Sequence, residues 1–414
     1  MKNVYDIKKE KGYNYILPLD YSVYGKREYD KVRAVLVILH LYYKETVVQY
    51  LEYVDKIPDF IHIIITVSDA KAKQELERNI DRDNIEILLK SNRGRDISSF
   101  LVACRERILK YQYVCFVHDK KARDKKNEED ISSWVYSIWH NLLGSRKYIE
   151  NILTTFELNR ELGLLVPPYY LAMNYMITYS NSWSNNLDAT QQLARRLGLS
   201  CDIDGKKPVI TLGTCFWAKV DALRKILEYP WCYEDFQDEP LPEDGTISHA
   251  IERILSYLAQ DAGYDTGWVM TYEHAACRIE YMQQFYDEAF SKLDEVAGIH
   301  SYSKLLNYDN ISRELLEFCE KCNRIYIYGA GIKGKRCWRH LRNLGVTDTS
   351  FIVSDGYLER EKICKETVLE LSECVLTDRT GIIVAVQESM QQEIINNIRE
   401  RNHEFSRIYF YESD

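Results

Sequence analysis

The stretch HIIITVSDAKAKQELERNIDRDNIEILLKSNRGRDISSF, residues 62–100, carries the pattern that decides the fold. It begins with the β-branched run HIIITV, continues with the charged segment KAKQELERNI, and returns to a short apolar run, IEILL. Short apolar runs favour buried strands, and a charged segment of this length is typical of the helix that joins two parallel strands. The stretch therefore predicts a strand, a helix, a second strand and, after SNRGRD, a second helix.

The same alternation extends in both directions. VRAVLVILH (32–40) and YVCFVHDK (113–120) are typical of strands, whereas KETVVQYLEYVDKI (44–57) and ISSFLVACRERILK (97–110) are typical of helices. We expect an α/β fold with a mostly parallel sheet covered on both faces.

Polar residues follow these strands where each strand ends. His40, Asp69, the SNRGRD loop and the run His118–Asp119–Lys120 all lie at such positions. Because ligands of parallel sheets bind beyond the carboxyl ends of the strands, the sequence predicts a binding site from these groups.

The SNRGRD loop is the most informative of them. Gly94 permits a left-handed backbone, Arg93 and Arg95 carry forked donors that suit phosphate, and Asp96 is a favourable N-cap for the helix that follows. The alternative interpretation is a capped turn whose arginines are solvated.

The composition limits the class of protein. At 414 residues the chain is long enough for two domains, and its net charge of −9 argues against a nucleic-acid-binding protein. The amino terminus has no apolar signal core, and the run AVLVILHLYY (34–43) is far shorter than a membrane span. We therefore expect a cytoplasmic protein with reduced cysteines. The single CxxC pair, Cys319 and Cys322, lacks the second pair that a structural zinc site needs.

A second alternating unit begins near residue 322, so we expect domains at 1–300 and 301–414. Gly329, Gly331 and Gly334 follow the strand RIYIY and precede a helix, and Asp355 ends the next strand. This spacing is typical of a Rossmann-like dinucleotide site. Nucleotide or nucleotide-sugar binding, a scaffold or dimerisation role, and a dehydrogenase all stay open for this domain.

A series of motifs between residues 38 and 255 resembles those of a known family. ILHLYY (38–43), SNRGRDISSF (91–100), YVCFVHDKK (113–121), NLLGS (141–145), LGLLVPP (162–168), LGTCFWAKVDAL (212–223) and EDGTISHAIERIL (243–255) occur in the order seen in the rhamnan synthesis F family. That family resembles the GT-A glycosyltransferases. The resemblance implies a GT-A-like nucleotide-sugar-binding domain that transfers rhamnose, or a related sugar, to a cell-surface polysaccharide.

The resemblance also implies a donor such as dTDP-rhamnose and a lipid-linked glycan acceptor, so contact with the inner face of the membrane is expected. GT-A enzymes usually place Asp-x-Asp at the fourth strand, where this chain has Asp119 and Lys121. One carboxylate is a poor Mg²⁺ or Mn²⁺ site, so basic groups are expected to neutralise the diphosphate instead. The segment KKARDKK (120–126) is either such a basic loop, a solvated one, or a contact with anionic lipid. The donor-binding candidates are His40, Asp69, Asn92, Arg93, Gly94, Arg95, Asp96, His118, Asp119, Lys120 and Lys121.

An inverting transfer needs a carboxylate base beside the acceptor hydroxyl. The acidic segment YEDFQDEPLPEDG (233–245) makes Asp244 the first candidate and Glu239 the second, unless the segment is only a solvated surface. His249, Glu252 and Arg253 share one helix face, either as an ion-pair group or, with Trp217, as sugar contacts. The alternative to a transferase is a non-catalytic polysaccharide-assembly protein with an inactive transferase fold.

Overall fold

The computed structural model describes residues 13–23, 35–45, 47–121, 128–169, 182–207, 209–242 and 244–411. Glu243 and residues 122–126 of the KKARDKK segment lie outside these ranges. The described residues form two compact units divided between Tyr281 and Met282. The sequence predicted a division at residue 300. The division falls within the helix Tyr272–Ala297, where no change of composition marks it.

The first unit is built on a sheet of eight strands. In chain order they are β1 (Asn14–Leu17), β2 (Val35–His40), β3 (His62–Val67), β4 (Ile85–Leu89), β5 (Tyr113–His118), β6 (Leu162–Val166), β7 (Phe216–Lys219) and β8 (Asp265–Thr271). Their spatial order is β1-β8-β6-β7-β5-β2-β3-β4. All neighbouring strands are parallel except β7, which is antiparallel to both β5 and β6. The predicted α/β fold with a mostly parallel sheet is confirmed.

Both faces of this sheet are covered, as the continuous apolar runs predicted. Every residue of β2 is buried. Val35, Val37 and Leu39 belong to one hydrophobic cluster, whereas Leu36 and Ile38 belong to the other. Because successive side chains of a strand point to opposite faces, the two clusters form one core on each side. By contrast, β4 is an edge strand with no fully buried residue, although its apolar sequence suggested a buried one.

Helices and short helical turns connect these strands. The longer helices of this unit are Ala70–Asn79, Glu128–Leu143, Arg146–Leu158, Leu187–Leu197 and Ile247–Asp261, followed by Tyr272–Ala297. Shorter α-helices are Leu51–Lys56, Arg95–Ser98, Arg105–Ile108 and Arg224–Glu228, and a π-helix covers Ser99–Ala103. Single 3₁₀ turns cover Val47–Tyr50, Val220–Leu223 and Tyr233–Asp235.

The second unit has its own sheet of six strands. They are β9 (Arg324–Tyr328), β10 (Thr349–Val353), β11 (Lys362–Ile363), β12 (Glu366–Glu370), β13 (Thr380–Val384) and β14 (Ile408–Phe410), in the order β11-β12-β10-β9-β13-β14. Only β11 pairs in an antiparallel manner. The helices are Tyr302–Cys319, Ile332–Asn343 and Glu388–Arg401, with a 3₁₀ turn at Leu371–Glu373. The smaller α/β unit expected at the carboxyl terminus is present.

Candidate functional site

The strand order of the first sheet reverses direction between β2 and β5. From β2 the chain continues to β3 and β4 on one side, whereas β5 lies on the other side of β2. His40 and His118, the last residues of β2 and β5, are neighbours in register. Ligands of open α/β sheets bind in the crevice that such a reversal leaves at the carboxyl ends. The structure thus brings two predicted site residues together at this crevice.

The SNRGRD segment, residues 91–96, forms a tight turn beside this crevice, which we call the arginine loop. The Arg95 amide donates to the Asn92 carbonyl at 2.8 Å, and Gly94 has the predicted left-handed backbone with a φ of 74°. A Cβ at Gly94 would lie 2.6 Å from the Phe236 ring, so glycine is required here. The helix begins at Arg95, which makes Gly94 the N-cap. Asp96 lies in the first helical turn, so its prediction as N-cap was wrong.

Both arginines of this loop are bound to carboxylates from residues 233–242, which we call the acidic loop. Arg93 contacts the Asp238 carboxylate at 2.8 Å. Arg95 donates to both oxygens of Glu239, at 2.7 and 2.8 Å. Forked guanidinium donors bind carboxylate and phosphate oxygens in the same bidentate geometry. The acidic loop therefore holds anionic oxygens where a diphosphate would be expected.

The acidic loop is fixed to the arginine loop at Phe236. The Phe236 ring is buried, and its carbonyl oxygen accepts a hydrogen bond from Arg93 Nε at 2.8 Å. Asp238 and Glu239 follow this anchor and remain partly exposed. Phe236 was not predicted as a site residue, although an aromatic residue inside an acidic segment is a signal for such an anchor.

Asn92 has a buried side-chain oxygen without a hydrogen-bond partner. Buried polar atoms are nearly always paired in native proteins, and an unpaired one calls for an explanation such as a missing ligand or water. Asn92 is thus a donor-binding candidate with an unused hydrogen-bond acceptor.

His118 is a partly buried cation. Nδ1–H donates to the Asp119 carbonyl and Nε2–H to the Gly213 carbonyl, each at 2.8 Å. Because carbonyl oxygens only accept, both ring nitrogens must carry a hydrogen. Burial opposes this charge, but the Cys215 and Asp96 side chains outweigh it and hold the pKa of His118 well above its usual value. The Asp96 carboxylate lies 3.7 Å from Nε2.

His40 is neutral and buried, with only 2% of its surface exposed. Its Nδ1 is bonded to the Thr66 hydroxyl at 3.0 Å and to the Ser99 hydroxyl at 2.9 Å. Burial, assisted by the charge of Lys90, lowers the pKa of His40 to about 3. His40 therefore joins β2 to the helical segment after the arginine loop and does not reach solvent as a donor contact.

Lys90 is a residue that the sequence analysis missed. It follows the edge strand β4 and is 6% exposed, with its ammonium group bonded to the Arg95 carbonyl. Burial lowers the pKa of Lys90 to about 8. This contact holds the backbone of the arginine loop in place. A lysine between an apolar strand and a glycine turn was the available signal.

The remaining polar candidates of this edge are used in local structure. The Asp69 carboxylate caps the helix Ala70–Asn79 by accepting from the amides of Lys71 and Ala72, at 2.8 and 2.9 Å. Lys120 lies over the Trp134 ring with its ammonium nitrogen 3.9 Å from the ring centre. Lys121 is exposed. Asp69 and Lys120 thus have identified roles in local structure, as a helix cap and in a cation–π contact.

Asp119 does not fit the metal ligand that the sequence left open. Its two oxygens accept three hydrogen bonds of 2.8 to 3.0 Å from the backbone amides of Tyr42 and Tyr43. It is 5% exposed, and burial raises the pKa of this carboxyl. Across the described ranges no three His, Cys, Asp or Glu side chains cluster as a metal site requires.

Asp244 ties two loops together. One oxygen accepts the Asn185 amide at 3.0 Å and the other accepts the Asn186 side-chain amide. Partial burial is opposed by hydrogen bonds from Ser184 and from Asn185, which hold the pKa of Asp244 at about 2. A catalytic base is most effective with a pKa near the working pH. Its environment therefore argues against Asp244, the first candidate, as the base.

The helix Ile247–Asp261 brings its three predicted residues together. The Thr246 hydroxyl is bonded to His249 Nδ1 at 2.8 Å, and Glu252 Oε1 accepts the Gly213 amide at 2.9 Å. Gly213 thus receives one hydrogen bond from His118 and donates another to Glu252, which links β5 to this helix. Arg253 is 8% exposed, donates to the His249 carbonyl at 3.2 Å, and leaves its Nε unbonded.

Trp217 is a core residue. It lies on β7, has no exposed surface, and donates its indole N–H to the Leu142 carbonyl at 3.0 Å. Complete burial excludes the sugar contact that was predicted for it.

In the second unit the glycines meet at the carboxyl end of β9, where this sheet also reverses between β9 and β13. Gly329 has a φ of 114°, and a Cβ at Gly334 would lie 1.8 Å from the Gly329 carbonyl oxygen. Gly331 begins the helix Ile332–Asn343 and has open space beside it. The Asp355 carboxylate accepts the Ser372 amide at 2.8 Å. Nucleotide binding here stays a prediction.

Comparison with known proteins identifies the family. The rhamnan synthesis protein F family matches residues 1–264, which include the arginine loop, the acidic loop and strands β1 to β7. The chain belongs to the rhamnan synthesis protein F family. Membership in this family connects the chain with polysaccharide synthesis.

Two curated relatives of this family member come from Xanthomonas campestris pv. campestris, strains B100 and ATCC 33913, and each is named Uncharacterized protein WxcX. Each is 29% identical over 234 residues, which cover 56% of this chain and 32% of the relative. The match thus spans about a third of the length of these relatives. Within the described parts of the chain, no helix is both long and apolar enough to cross a membrane.

Proposed function

We propose that this family member is an inverting glycosyltransferase that transfers a sugar, with rhamnose as the first candidate, from a nucleotide diphosphate donor to a surface polysaccharide. The observation that carries the proposal is the crevice between β2 and β5. There the arginine loop and the His118 imidazolium supply cations, each beside a carboxylate, near the position where open α/β sheets bind ligands. Departure of a nucleoside diphosphate needs such fixed cations.

Donor binding is proposed to exchange the partners of the two arginines. The Arg95–Glu239 pair is about two-fifths exposed on each side, and exposed pairs of this kind contribute little net stability. A diphosphate carries more charge than a carboxylate and offers the same bidentate oxygens. It would therefore displace Asp238 and Glu239 from Arg93 and Arg95.

The displaced Glu239 is the proposed base. The acceptor oxygen attacks the anomeric carbon and loses its proton to the Glu239 carboxylate. The bond from the anomeric carbon to the diphosphate oxygen breaks, and the nucleoside diphosphate leaves with the electron pair while Arg93 and Arg95 stabilise its charge. Glu239 is preferred over Asp244, whose two oxygens are held by residues 185 and 186.

The acceptor is proposed to be a lipid-linked glycan that the chain meets at the inner face of the membrane. His249, Glu252 and Arg253 lie on the helix that follows the acidic loop, so they are the proposed acceptor contacts. The unbonded Nε of Arg253 supports this role, because a buried guanidinium nitrogen without a partner favours a ligand oxygen.

A non-catalytic polysaccharide-assembly protein is the second candidate. The observation that favours it is the occupation of both arginines by carboxylates of the same chain, since a permanently closed acidic loop would bind no donor. Thermal unfolding of the full chain with dTDP-, UDP- and GDP-sugars separates the two, because a ligand of the folded state raises the melting temperature.

We expect dTDP-rhamnose to raise the melting temperature of the wild-type chain and to lose this effect in Arg95→Ala. Product formation is then followed by mass spectrometry with membrane-extracted glycan acceptors. Donor binding with transfer supports the transferase. An unchanged melting temperature with all donors overturns the proposed donor site and supports the assembly protein with a closed acidic loop. Binding without transfer supports an assembly protein that has kept the donor site but not the chemistry.

A further inference from the structure

The helix Tyr272–Ala297 carries an apolar stripe that is exposed among the described residues of the chain. Its members follow one another in the sequence at alternating steps of three and four residues, which is the spacing of a coiled-coil seam. Four of them are more than half exposed, at 68% for Ile279, 53% for Met282, 51% for Tyr286 and 54% for Val296. The stripe consists of Ile279, Met282, Tyr286, Ala289, Leu293 and Val296.

A different face of the same helix is used within the second unit. The Asp294 carboxylate accepts two hydrogen bonds from Arg336, at 2.7 and 2.9 Å, and one contact of 3.6 Å from Arg339. These partly buried ion pairs fix the helix against Ile332–Asn343. The stripe lies off this face, which explains why it stays exposed.

We propose that this stripe is a dimer interface, and that its occupant is the same helix of a second copy running antiparallel. About a twofold axis between residues 287 and 288, the layers are Ile279 with Val296, Met282 with Leu293, and Tyr286 with Ala289. The central layer then combines a large and a small side chain, Tyr286 and Ala289, and the two outer layers combine side chains of similar size. Packed helix seams fill space in this way. A twofold pairing also places the same surface on both copies.

The size of the stripe is sufficient for a weak, specific dimer. Phe285 and Phe290 flank its six members, and Phe290 already contacts Tyr286 with ring centres 4.5 Å apart. At roughly 80 Å² for each of these side chains, two copies would bury about 1,300 Å², whereas a specific interface needs about 1,000 Å².

The charges around the stripe favour a second copy over a membrane surface. Glu280, Asp287, Glu288 and Glu295 lie on the side of the helix away from the stripe, where they remain in water when two stripes pair. Helices that lie on membranes carry basic residues beside their apolar face, and anionic lipid repels acidic ones. This inference does not depend on the proposed function.

Sedimentation equilibrium of the full chain tests the interface. We expect a concentration-dependent dimer with a dissociation constant of about 1 to 100 µM. Tyr286→Glu should weaken it at least tenfold, because the interface would bury two unpaired carboxylates close to the axis, each against Ala289 of the second copy. Val375→Glu is the matched control, since Val375 is 68% exposed and lies off the helix. Unchanged circular dichroism confirms that the variants fold.

A size exchange tests the register. Ala289→Tyr alone opposes two tyrosines in a layer and should weaken the dimer, whereas Ala289→Tyr combined with Tyr286→Ala restores one large and one small side chain and should recover it. A wild-type chain that is monomeric at all concentrations overturns the proposal. So does a dimer that Tyr286→Glu leaves intact. Flotation of a monomeric chain with vesicles of anionic lipid would assign the stripe to a membrane instead.

Discussion

The two sheets of this protein share a design and differ at the edge where ligands are expected. In the first unit, the crevice is surrounded by charged side chains, including Arg93, Arg95 and the His118 imidazolium. In the second unit, the corresponding edge consists of glycine backbone around Gly329 and Gly334. Charged side chains favour electrostatic stabilisation of a reacting group, whereas bare backbone favours close packing or passive binding.

Two histidines, the partly buried His118 and the buried His340, repeat this contrast. His118 faces two carbonyl oxygens and is held as a cation. His340 of the second unit faces the hydroxyls of Ser312 and Tyr411, at 2.9 and 3.2 Å, and burial lowers its pKa to about 4. Hydroxyls both donate and accept, so a neutral ring is satisfied there. His118 is thus charged, whereas His340 is neutral.

We expect the largest effect on kcat from substitution of Glu239, the proposed base. Such an effect would assign the reaction to the first unit. Glu239→Gln retains shape and polarity but cannot take the acceptor proton, so kcat should fall on the order of 10²- to 10⁴-fold. Donor affinity should hold or improve, because the uncharged amide competes less well for Arg95. Steady-state transfer kinetics together with calorimetric donor titration measure both quantities.

Asp244→Asn is the matched control in the same segment. It should reduce stability by about 1 to 3 kcal/mol through the loss of acceptors for residues 185 and 186, with kcat within a few-fold of wild type. If Asp244→Asn abolishes turnover and Glu239→Gln does not, the base is Asp244. Near-normal turnover in both variants would make the acidic loop a structural element only.

Arg95→Ala should have the next largest effect and should sharpen the assignment of the donor site to the first unit. Loss of a charge-assisted contact weakens donor binding by about 1.5 to 3 kcal/mol, or roughly 10- to 150-fold. Isothermal titration with the donor identified by thermal unfolding measures this change. Arg324→Ala in the second unit removes an exposed ion pair to Asp348 and serves as the control. An equal loss of donor affinity in Arg95→Ala and Arg324→Ala would contradict the assignment of the donor site to the first unit.

A methyl group tests whether the glycine edge of the second unit is a packed turn. Gly334→Ala places a carbon 1.8 Å from the Gly329 carbonyl oxygen, so backbone must shift at a cost of about 1 to 3 kcal/mol. Gly331→Ala has open space and should be near neutral. Hydrogen exchange of the β9 and β13 amides reports the difference. Equal protection in both variants would contradict the close approach.

Chelation should have the smallest effect. The Asp119 carboxylate is occupied by the amides of Tyr42 and Tyr43, so we expect transfer to survive EDTA or to fall only a few-fold. Turnover with and without EDTA measures this directly. Complete loss that Mn²⁺ or Mg²⁺ restores would show that residues outside this geometry complete a metal site.

Local sequence patterns predicted much of the secondary structure of this chain. Continuous apolar runs predicted the strands β2, β3 and β5, and the glycine at position 94 predicted a left-handed turn. These features depend on neighbours in sequence, because steric limits and side-chain period act over a few residues. The position of β4 at the edge was not predictable in this way, because its apolar residues are those of a buried strand.

The tertiary structure decided the roles of the side chains. The Arg95–Glu239 pair joins residues that are 144 positions apart in the chain. The hydrogen-bond partners of Asp119, Asp244 and Trp217 are also far from these residues in sequence. Burial and hydrogen bonding set protonation and availability, and both depend on which segments meet in space. The sequence by itself thus determined the sheet and the location of its polar edge. Only the fold determined which of those polar groups is free to act.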